Sequence, residues 1–319
     1  MTKKERQLAM NIARKLLSPK ELERVMSIPI KANQFGFDPF GLERESAILA
    51  YIAAKFLYEQ WFRVESRGHE NIPKEGSAII AANHSGVIPI DGAMIAVDIV
   101  KKLDPPRLVR MVVDYFAAYL PFINTMFARS GQIIGHRKNF QMLLEQGELI
   151  GVFPEGHKGT GKLFKERYQL RTFNVGFVEL SLQQKVPIIP TAVVGAEEQA
   201  PMLANLKPLA KLLGFPYFPI TLTFPWLGPL GMIPFPTKYY IAYGEPFRFY
   251  EEYPPEAVDE PETMRNLADK VQLRVQEMLN EMLKKRRSIF SFGESPRALS
   301  AGGRRRRRRM LESQPKSRG

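Results

Sequence analysis

The sequence predicts an α/β fold: a mixed, largely parallel sheet flanked by helices, with amphipathic helices before it and a helix after it. Three observations point there. From Gly68 onward, short apolar runs closed by turn signals alternate with longer segments of helical period. Residues 1–62 read as helical and amphipathic, and a second long helical pattern begins near Pro261. At 319 residues, with 45% hydrophobic and 11% aromatic content, the chain can build a substantial core, which excludes a disordered protein.

In chain order, the first strong helical signal is SAILAYIAAKFLYEQWF, from Ser46 to Phe62, where Ile48, Ile52 and Phe56 recur at helical spacing with Lys55 and Glu59 as interruptions. Its apolar face suits either packing on a core or lying along a membrane. SAIIAA, RLVRMVV, GQII, LIGVF and VPIIPTAVV read as buried strands, and KNFQMLLEQG and NVGFVELSLQQK as helices between some of them. In such sheets ligands gather beyond the carboxyl ends of the strands. Leu212 to Thr237 carries no charge. It reaches the roughly 20 residues that a membrane-spanning helix needs, but Pro216, Pro219, Pro225, Pro229, Pro234 and Pro236 remove amide donors throughout and exclude a regular helix. Two readings stay open for it: an irregular loop over the core, or an aromatic surface that dips into lipid headgroups. The last helix is expected from Pro261, a good first-turn residue, to Arg287, with Leu267, Val271, Val275, Met278 and Met282 along one face. Beyond it the apolar period is lost. The expected organisation is an N-terminal helical, membrane-associated segment over 1–62, the main domain over 63–287 and a disordered basic tail over 288–319.

The formal charge of +13 belongs to the ends of the chain. Residues 284–319 hold thirteen basic side chains against two acidic ones, and residues 1–24 seven against three, so the stretch between them is slightly acidic. The lack of cysteine removes disulfide frameworks, thiolate metal sites and a cysteine nucleophile, and suits a reducing compartment. Charges are scattered through the N-terminus where a secretory signal needs an uninterrupted apolar run, so no export signal is read.

Only four histidines occur, and His84 stands directly after a small apolar run, with Asp91 a few residues on, in AANHSGVIPIDG. On one continuous helix the two would lie about 10.5 Å apart along the axis, too far to touch. Gly86 and Pro89 argue against that helix. A better arrangement ends a strand at Asn83, makes a compact loop of SGVIPI and starts a helix at Asp91, a favoured N-cap, whose carboxylate then reaches back to the imidazole. Such a pair can act as a general base, the carboxylate fixing the tautomer and stabilising the imidazolium. No G-x-S-x-G elbow and no cysteine supplies a protein nucleophile, so the hydroxyl that His84 would activate belongs to a substrate, which points to direct transfer between two bound molecules. At the end of LIGVF stands FPEGHKGTGK, Phe153 to Lys162. Glu155 suits hydroxyl hydrogen bonds, the glycines expose amides, and Lys158 and Lys162 supply charge, as in an anion or polyol clamp. A turn histidine beside a capping aspartate, and a Gly-rich turn with solvated lysines, are the plain structural alternatives.

In order, NHS…D, GQIIGHR, FPEG and VPIIPTAVVGAEE resemble the four blocks of the glycerolipid acyltransferase family that includes lysophosphatidate acyltransferases, with coverage from about Arg63 to Phe249. The resemblance implies the glycerolipid acyltransferase fold, with residues 63–287 as the acyltransferase domain. It implies transfer of an acyl chain from acyl-CoA or acyl carrier protein to a glycerolipid hydroxyl, with lysophosphatidate or another lysophospholipid as the leading acceptor and no metal or prosthetic group. It implies His84 as base, Asp91 as its orienter and Arg137 as the cation on the acceptor's phosphate. The third block falls on Phe153, Pro154, Glu155 and Gly156, with Lys158 where many members carry arginine, and the fourth on Val186 to Pro190. Six residues separate His84 from Asp91, where the family usually has four. In this the sequence is closer to a subgroup whose first block reads His-Ser-Gly and then Pro-x-Asp, near the monoacylglycerol acyltransferase-like branch, which keeps a mono- or diacylglycerol acceptor open. Asp114 is the fallback orienter.

Both substrates carry long acyl chains, so the expected partners are membrane lipids and the acyl donor, and the expected location is the cytoplasmic face of a membrane, peripheral or monotopic. The uncharged proline-rich segment and DYFAAYLPFINTMF are candidate interfacial surfaces. The Arg304 to Arg309 run suits anionic lipid, at about 1 kcal/mol per basic residue near the surface. Nucleic-acid binding and plain solubility are ordinary readings of a basic tail too, though nucleic acid is not among the partners expected. Two other classes stay in view: a catalytically silent lipid- or nucleic-acid-binding homologue, and a hydrolase that uses water in place of the acceptor.

Overall fold

Thr2 and Ser18 each start a helix through a reciprocal capping box, with Glu5 and Glu21 respectively, giving α1 (Lys3–Leu16) and α2 (Pro19–Met26). A computed structural model of the chain describes residues 1–113 and 122–290. Next comes α3 (Arg44–Phe56), which runs on into a π-turn at Leu57–Trp61. There follow β1 (Glu65–Arg67), β2 (Ala78–Ala82), α4 (Ile90–Lys102), β3 (Val109–Val113), α5 (Ile123–Ser130), β4 (Ile133–Ile134), α6 (Arg137–Glu145), β5 (Leu149–Val152), α7 (His157–Thr160) and α8 (Gly176–Gln184). The remainder is β6 (Ile188–Val194), β7 (Met202–Asn205), α9 (Lys207–Leu213), β8 (Pro219–Thr221), β9 (Tyr240–Tyr243) and α10 (Pro261–Lys285).

The main sheet has the order β1-β9-β6-β2-β5-β3-β4. From β6 to β4 the strands are parallel, while β9 pairs antiparallel with β6 and carries β1 beside it at the edge. Strands buried on both faces need near-continuous apolar sequence, which is what SAIIAA and VPIIPTAVV supply. Ile80, Ala82, Met111 and Val193 face a core shared with α1, α3 and α4; Ile79, Ala81, Ile150 and Val194 face one shared with α8 and α10. The mixed, largely parallel sheet with helices on both sides is therefore present. Leu267, Val271, Val275, Met278 and Met282 are all buried on α10, which ends at Lys285, two residues short of Arg287.

Three departures have physical reasons. In α3, Ile48 and Tyr51 are buried but Phe56 is 57% exposed, because eight residues at 3.6 per turn carry Phe56 about 80° away from Ile48. α3 packs on α1, α4 and α5 as part of the core. The strands β1 and β9 were not anticipated; β1 is three residues long, ESR, without an apolar run. The uncharged Leu212 to Thr237 segment begins with the last two residues of α9, contains β8 and a 3₁₀ turn at Gly228–Met232 and is otherwise irregular; among the described residues no helix is long and apolar enough to cross a membrane. Asp114, most of the DYFAAYLPFINTMF stretch and the Arg304 to Arg309 run lie outside the described residues.

One feature of the topology positions a site. β2 feeds α4 on one face of the sheet, and its neighbour β5 feeds α8 on the other. Adjacent strands whose connections leave to opposite faces open a crevice at their carboxyl ends. His84 follows β2, and Phe153 to Gly156 follow β5, so both constellations stand at that crevice.

Candidate active site

Asn83 fixes the exit from β2. Its side chain accepts from Val193 N (2.7 Å) and donates to Val193 O (3.0 Å), continuing the β2–β6 ladder after the last strand residue. The next residue is His84, whose backbone amide donates to Glu155 Oε1 (2.9 Å). Its Nδ1 lies 2.9 Å from Asp91 Oδ2. An ionised carboxylate only accepts, so Nδ1 carries the proton and Nε2 the lone pair. Among the described residues nothing hydrogen-bonds Nε2. The imidazole lies flat on Phe153, with centroids 3.9 Å apart and planes at 13°. Asp91 is fully buried while His84 retains 12% side-chain exposure, so the bracing carboxylate is dry and the ring is not wholly enclosed.

The loop between them folds as the glycine and proline imply, with one correction. The helix starts at Ile90 rather than at Asp91, so Asp91 sits in the first turn and is no N-cap. Its carboxylate instead accepts from Ser85 N (3.0 Å) and Gly92 N (2.9 Å) besides the imidazole. The two extra residues of the loop are absorbed without separating the pair. Gly86 has φ +79°, and a Cβ there would come 2.4 Å from Gln199 Nε2 and 2.8 Å from Ala196 O, so the position demands glycine twice over. Gln199 Nε2 donates to Ile88 O (2.9 Å) and Tyr217 Oη to Val87 O (2.8 Å), holding the loop from outside.

The FPEG constellation divides in two. Phe153 is the stacking partner of His84, and Pro154 is buried, its carbonyl accepting from Asn174. Glu155 does not face solvent. Its side chain is fully buried, taking His84 N on Oε1 and Arg171 N on Oε2 (2.7 Å), with Lys162 Nζ at 3.3 Å. The expected hydroxyl clamp is instead an internal strut under the histidine. Lys162, expected to supply free charge, is buried between Glu155 and Glu197 (3.1 Å). Burial pushes Glu197 above the ordinary carboxylate range, and Lys162 only partly offsets it. Gly156 has φ +57° and opens α7, on which Lys158 is exposed. A Cβ on Gly159 would stand 2.9 Å from both His84 Cβ and His84 O, so the close approach of α7 to the histidine needs a hydrogen there. A narrow cleft runs between Gly86, Val87, Gly159, Thr160, Phe164 and Met202.

Arg137 starts α6 after β4, at the same carboxyl end of the sheet as His84 but three strands along, about 14 Å across the sheet. Its guanidinium donates to Glu179 (2.7 Å) and Gln183 (2.9 Å) on α8, so it is held by protein groups and not joined to the His84 cluster. Near it, at the ends of β3 and β4, is a cavity of about 270 Å³ with a mixed lining, apolar at Phe40, Val113, Phe127 and Ile133 and polar at Asn124, Gln132 and Asn139. Sequence reasoning missed Asn83, Gly159, Gln199 and Tyr217. Asn83 alone had a local signal, a buried amide at a strand end beside the histidine. Among the described residues no group of three or more His, Cys, Asp or Glu side chains is placed to hold a metal ion.

A histidine at the crevice, with a buried carboxylate on Nδ1 and no hydrogen-bond partner on Nε2 among the described residues, is an arrangement able to act as a general base. The chain belongs to the acyltransferase family, whose model matches residues 63–194. An uncharacterized protein of Mycobacterium tuberculosis is 42% identical over 262 residues, spanning 82% of this chain and 72% of that protein. A bovine (Bos taurus) DGAT1/2-independent enzyme synthesizing storage lipids is 32% identical over 131 residues, 41% of this chain and 38% of the enzyme. Among solved structures, the 1-acyl-sn-glycerophosphate (LPA) acyltransferase PlsC of Thermotoga maritima shares the fold, with a TM-score of 0.50 and 17% identity over 84% of this chain and 89% of that one.

Proposed function

We propose that this acyltransferase moves a fatty acyl chain from a thioester, acyl-CoA or acyl carrier protein, to the hydroxyl of a glycerolipid at a membrane surface. The observation that carries the reading is the pairing of His84 Nδ1 with a buried Asp91, which leaves Nε2 without a hydrogen-bond partner among the described residues. Nε2 takes the proton as the acceptor oxygen attacks the thioester carbonyl, giving a tetrahedral oxyanion and an imidazolium that Asp91 stabilises. Collapse breaks the carbon–sulfur bond, and the leaving thiolate takes the proton back, leaving an ester and a free thiol. The amides of Gly86 and Val87, which find no acceptor among the described residues, are candidate donors to the oxyanion. The cavity by β3 and β4 offers an acyl chain the apolar wall of Phe40, Val113, Phe127 and Ile133.

Lysophosphatidate or another lysophospholipid is one acceptor class, with Arg137 and Lys158 as the candidate cations for its phosphate. A second reading, a neutral mono- or diacylglycerol, is favoured by the pairing of Arg137 with Glu179, which leaves its charge already compensated, and by the likeness to the storage-lipid enzymes. Purified protein given labelled acyl-CoA with lysophosphatidate, lysophospholipids and monoacylglycerol in parallel distinguishes them. Acceptor-dependent thiol release with a labelled ester product supports acyl transfer and names the acceptor. Release without acceptor indicates hydrolysis, and no release with any donor or acceptor defeats the reading.

A further inference from the structure

We infer that the excursion between β6 and β9, residues 203–233, is the surface by which this protein docks on an anionic phospholipid bilayer. It deepens the acyl-transfer reading and rests on it only for its purpose. Its exposed side chains are large and apolar: Leu212 is 80% exposed, Trp226 71%, Leu230 69%, Leu227 59%, Leu222 56% and Ile233 54%. Exposed apolar groups so concentrated mark an interaction surface. What covers it follows from its charge. From residue 199 to residue 244 there is no acidic side chain, and the exposed charges are Lys207 and Lys211, Lys238 being buried and paired with Glu65 (2.9 Å). An apolar face edged by two exposed lysines, with no carboxylate in its own stretch of chain, complements a negatively charged headgroup layer over acyl chains.

Topology aims this face. The excursion leaves from the carboxyl end of β6 and returns to β9 at Tyr240, which is paired with Val194, so both of its feet stand at the end of the sheet that carries His84. The feet are tied down. Trp61 Nε1 donates to Pro234 O (3.1 Å), Arg63 to Pro236 O (2.8 Å) and Phe235 N to Gln199 O (2.7 Å). Tyr217, inside the excursion, donates to Val87 O in the loop joining His84 to Asp91. A bilayer seated on the outer face therefore meets the protein beside the catalytic loop, and an acceptor hydroxyl has a short path from the headgroup plane to Nε2.

The test is binding of the full chain to vesicles of phosphatidylcholine mixed with phosphatidylglycerol, made with brominated acyl chains that quench tryptophan. Trp61 and Trp226 are the chain's two tryptophans, and Trp61 is partly buried and hydrogen-bonded, so a Trp226→Phe comparison isolates the exposed one. The expected result is binding with quenching that disappears in Trp226→Phe, and a partition coefficient lowered about tenfold or more in a Trp226→Ser, Leu227→Ser, Leu230→Ser variant. Turnover of short-chain substrates that need no bilayer stays at the wild-type level in that variant. Vesicle binding is read without turnover, so an inactive protein that docks sinks the acyl-transfer reading alone. An active protein whose triple variant binds as wild type, or whose Trp226 is not quenched when bound, sinks the docking inference alone. A wild type that is dimeric and ignores vesicles, with a monomeric triple variant, makes the face a contact between copies and overturns the inference too.

Discussion

Two histidine–aspartate pairs hang from one helix. Asp91 and Asp98 stand seven residues apart on α4, both with 0% exposure, and each lies 2.9 Å from an imidazole nitrogen, of His84 and His69 respectively. The contact is the same and the surroundings are not. Asp91 takes backbone amides and the Nδ1 of a ring whose other nitrogen opens on the crevice. Asp98 takes the hydroxyls of Tyr58 (2.6 Å), Ser66 (2.5 Å) and Tyr243 (2.8 Å) as well as His69 Nε2, at the opposite end of the sheet. Burial alone would raise Asp98, but the hydrogen bonds from His69, Ser66 and Tyr58 outweigh it and hold the carboxyl below its usual range. It is a knot joining α4, β1, β9 and the π-turn. A histidine–carboxylate distance thus says nothing of catalysis until the second nitrogen and the carboxylate's other partners are counted.

The largest expected effect breaks the pair at the crevice. His84→Ala should lower acyl transfer about a thousandfold or more, while the denaturation midpoint moves little, because among the described residues the ring's one hydrogen bond is to Asp91, which keeps the amides of Ser85 and Gly92. Asp91→Asn should lower turnover comparably, since an amide neither fixes the Nδ1–H tautomer nor stabilises the imidazolium. Near-wild-type turnover in either purified variant would make the two pairs equivalent and end the mechanism. Asp98→Ala tests the other side. It strands three hydroxyls, each costing about 1–3 kcal/mol if left unsatisfied, so unfolding free energy should fall by about 3 kcal/mol, read by urea titration. Turnover per folded molecule should stay within about twofold of wild type, since Asp98 touches no part of the crevice. Its folded-state carboxyl is depressed, so the stabilisation is complete above the unfolded value of 3.8 and is lost as pH falls below it.

The sequence made one pair visible and hid the other. His84 and Asp91 are separated by a single turn whose glycine and proline disclose its shape, whereas His69 and Asp98 are 29 residues apart and meet only through the packing of α4 on β1. The buried face of α10 was readable because 25 residues repeat one period. β1 was not, since an edge strand of three residues needs only main-chain pairing and shows no apolar run. At the FPEG turn the residue types were readable but their direction was not. Whether Glu155 points outward to a headgroup or inward to His84 N depends on Lys162 and Arg171, whose places are set by tertiary packing.

The smallest expected effect sharpens the comparison with a third carboxylate that bears on α4. Glu21 lies 2.7 Å from Lys55 on α3 and 3.5 Å from Lys101 on α4, but with 25% side-chain exposure it stays in contact with solvent. Burial is the largest single influence on its pKa and raises it, but the hydrogen bonds from Lys55 and Ser18 and the charge of Lys55 together outweigh it and bring the value from 4.5 to about 2. A depressed folded-state value means the stabilisation is present above 4.5 and is lost progressively as pH falls from 4.5 towards 2. Solvent screens the charges, so Glu21→Gln should cost under about 1 kcal/mol at neutral pH, shrinking further in high salt. The variant should also flatten the acid side of the stability curve in that window. A loss as large as that of Asp98→Ala would show that α4 is held as firmly by its wet ion pairs as by its dry knot, and the distinction drawn from burial would fail.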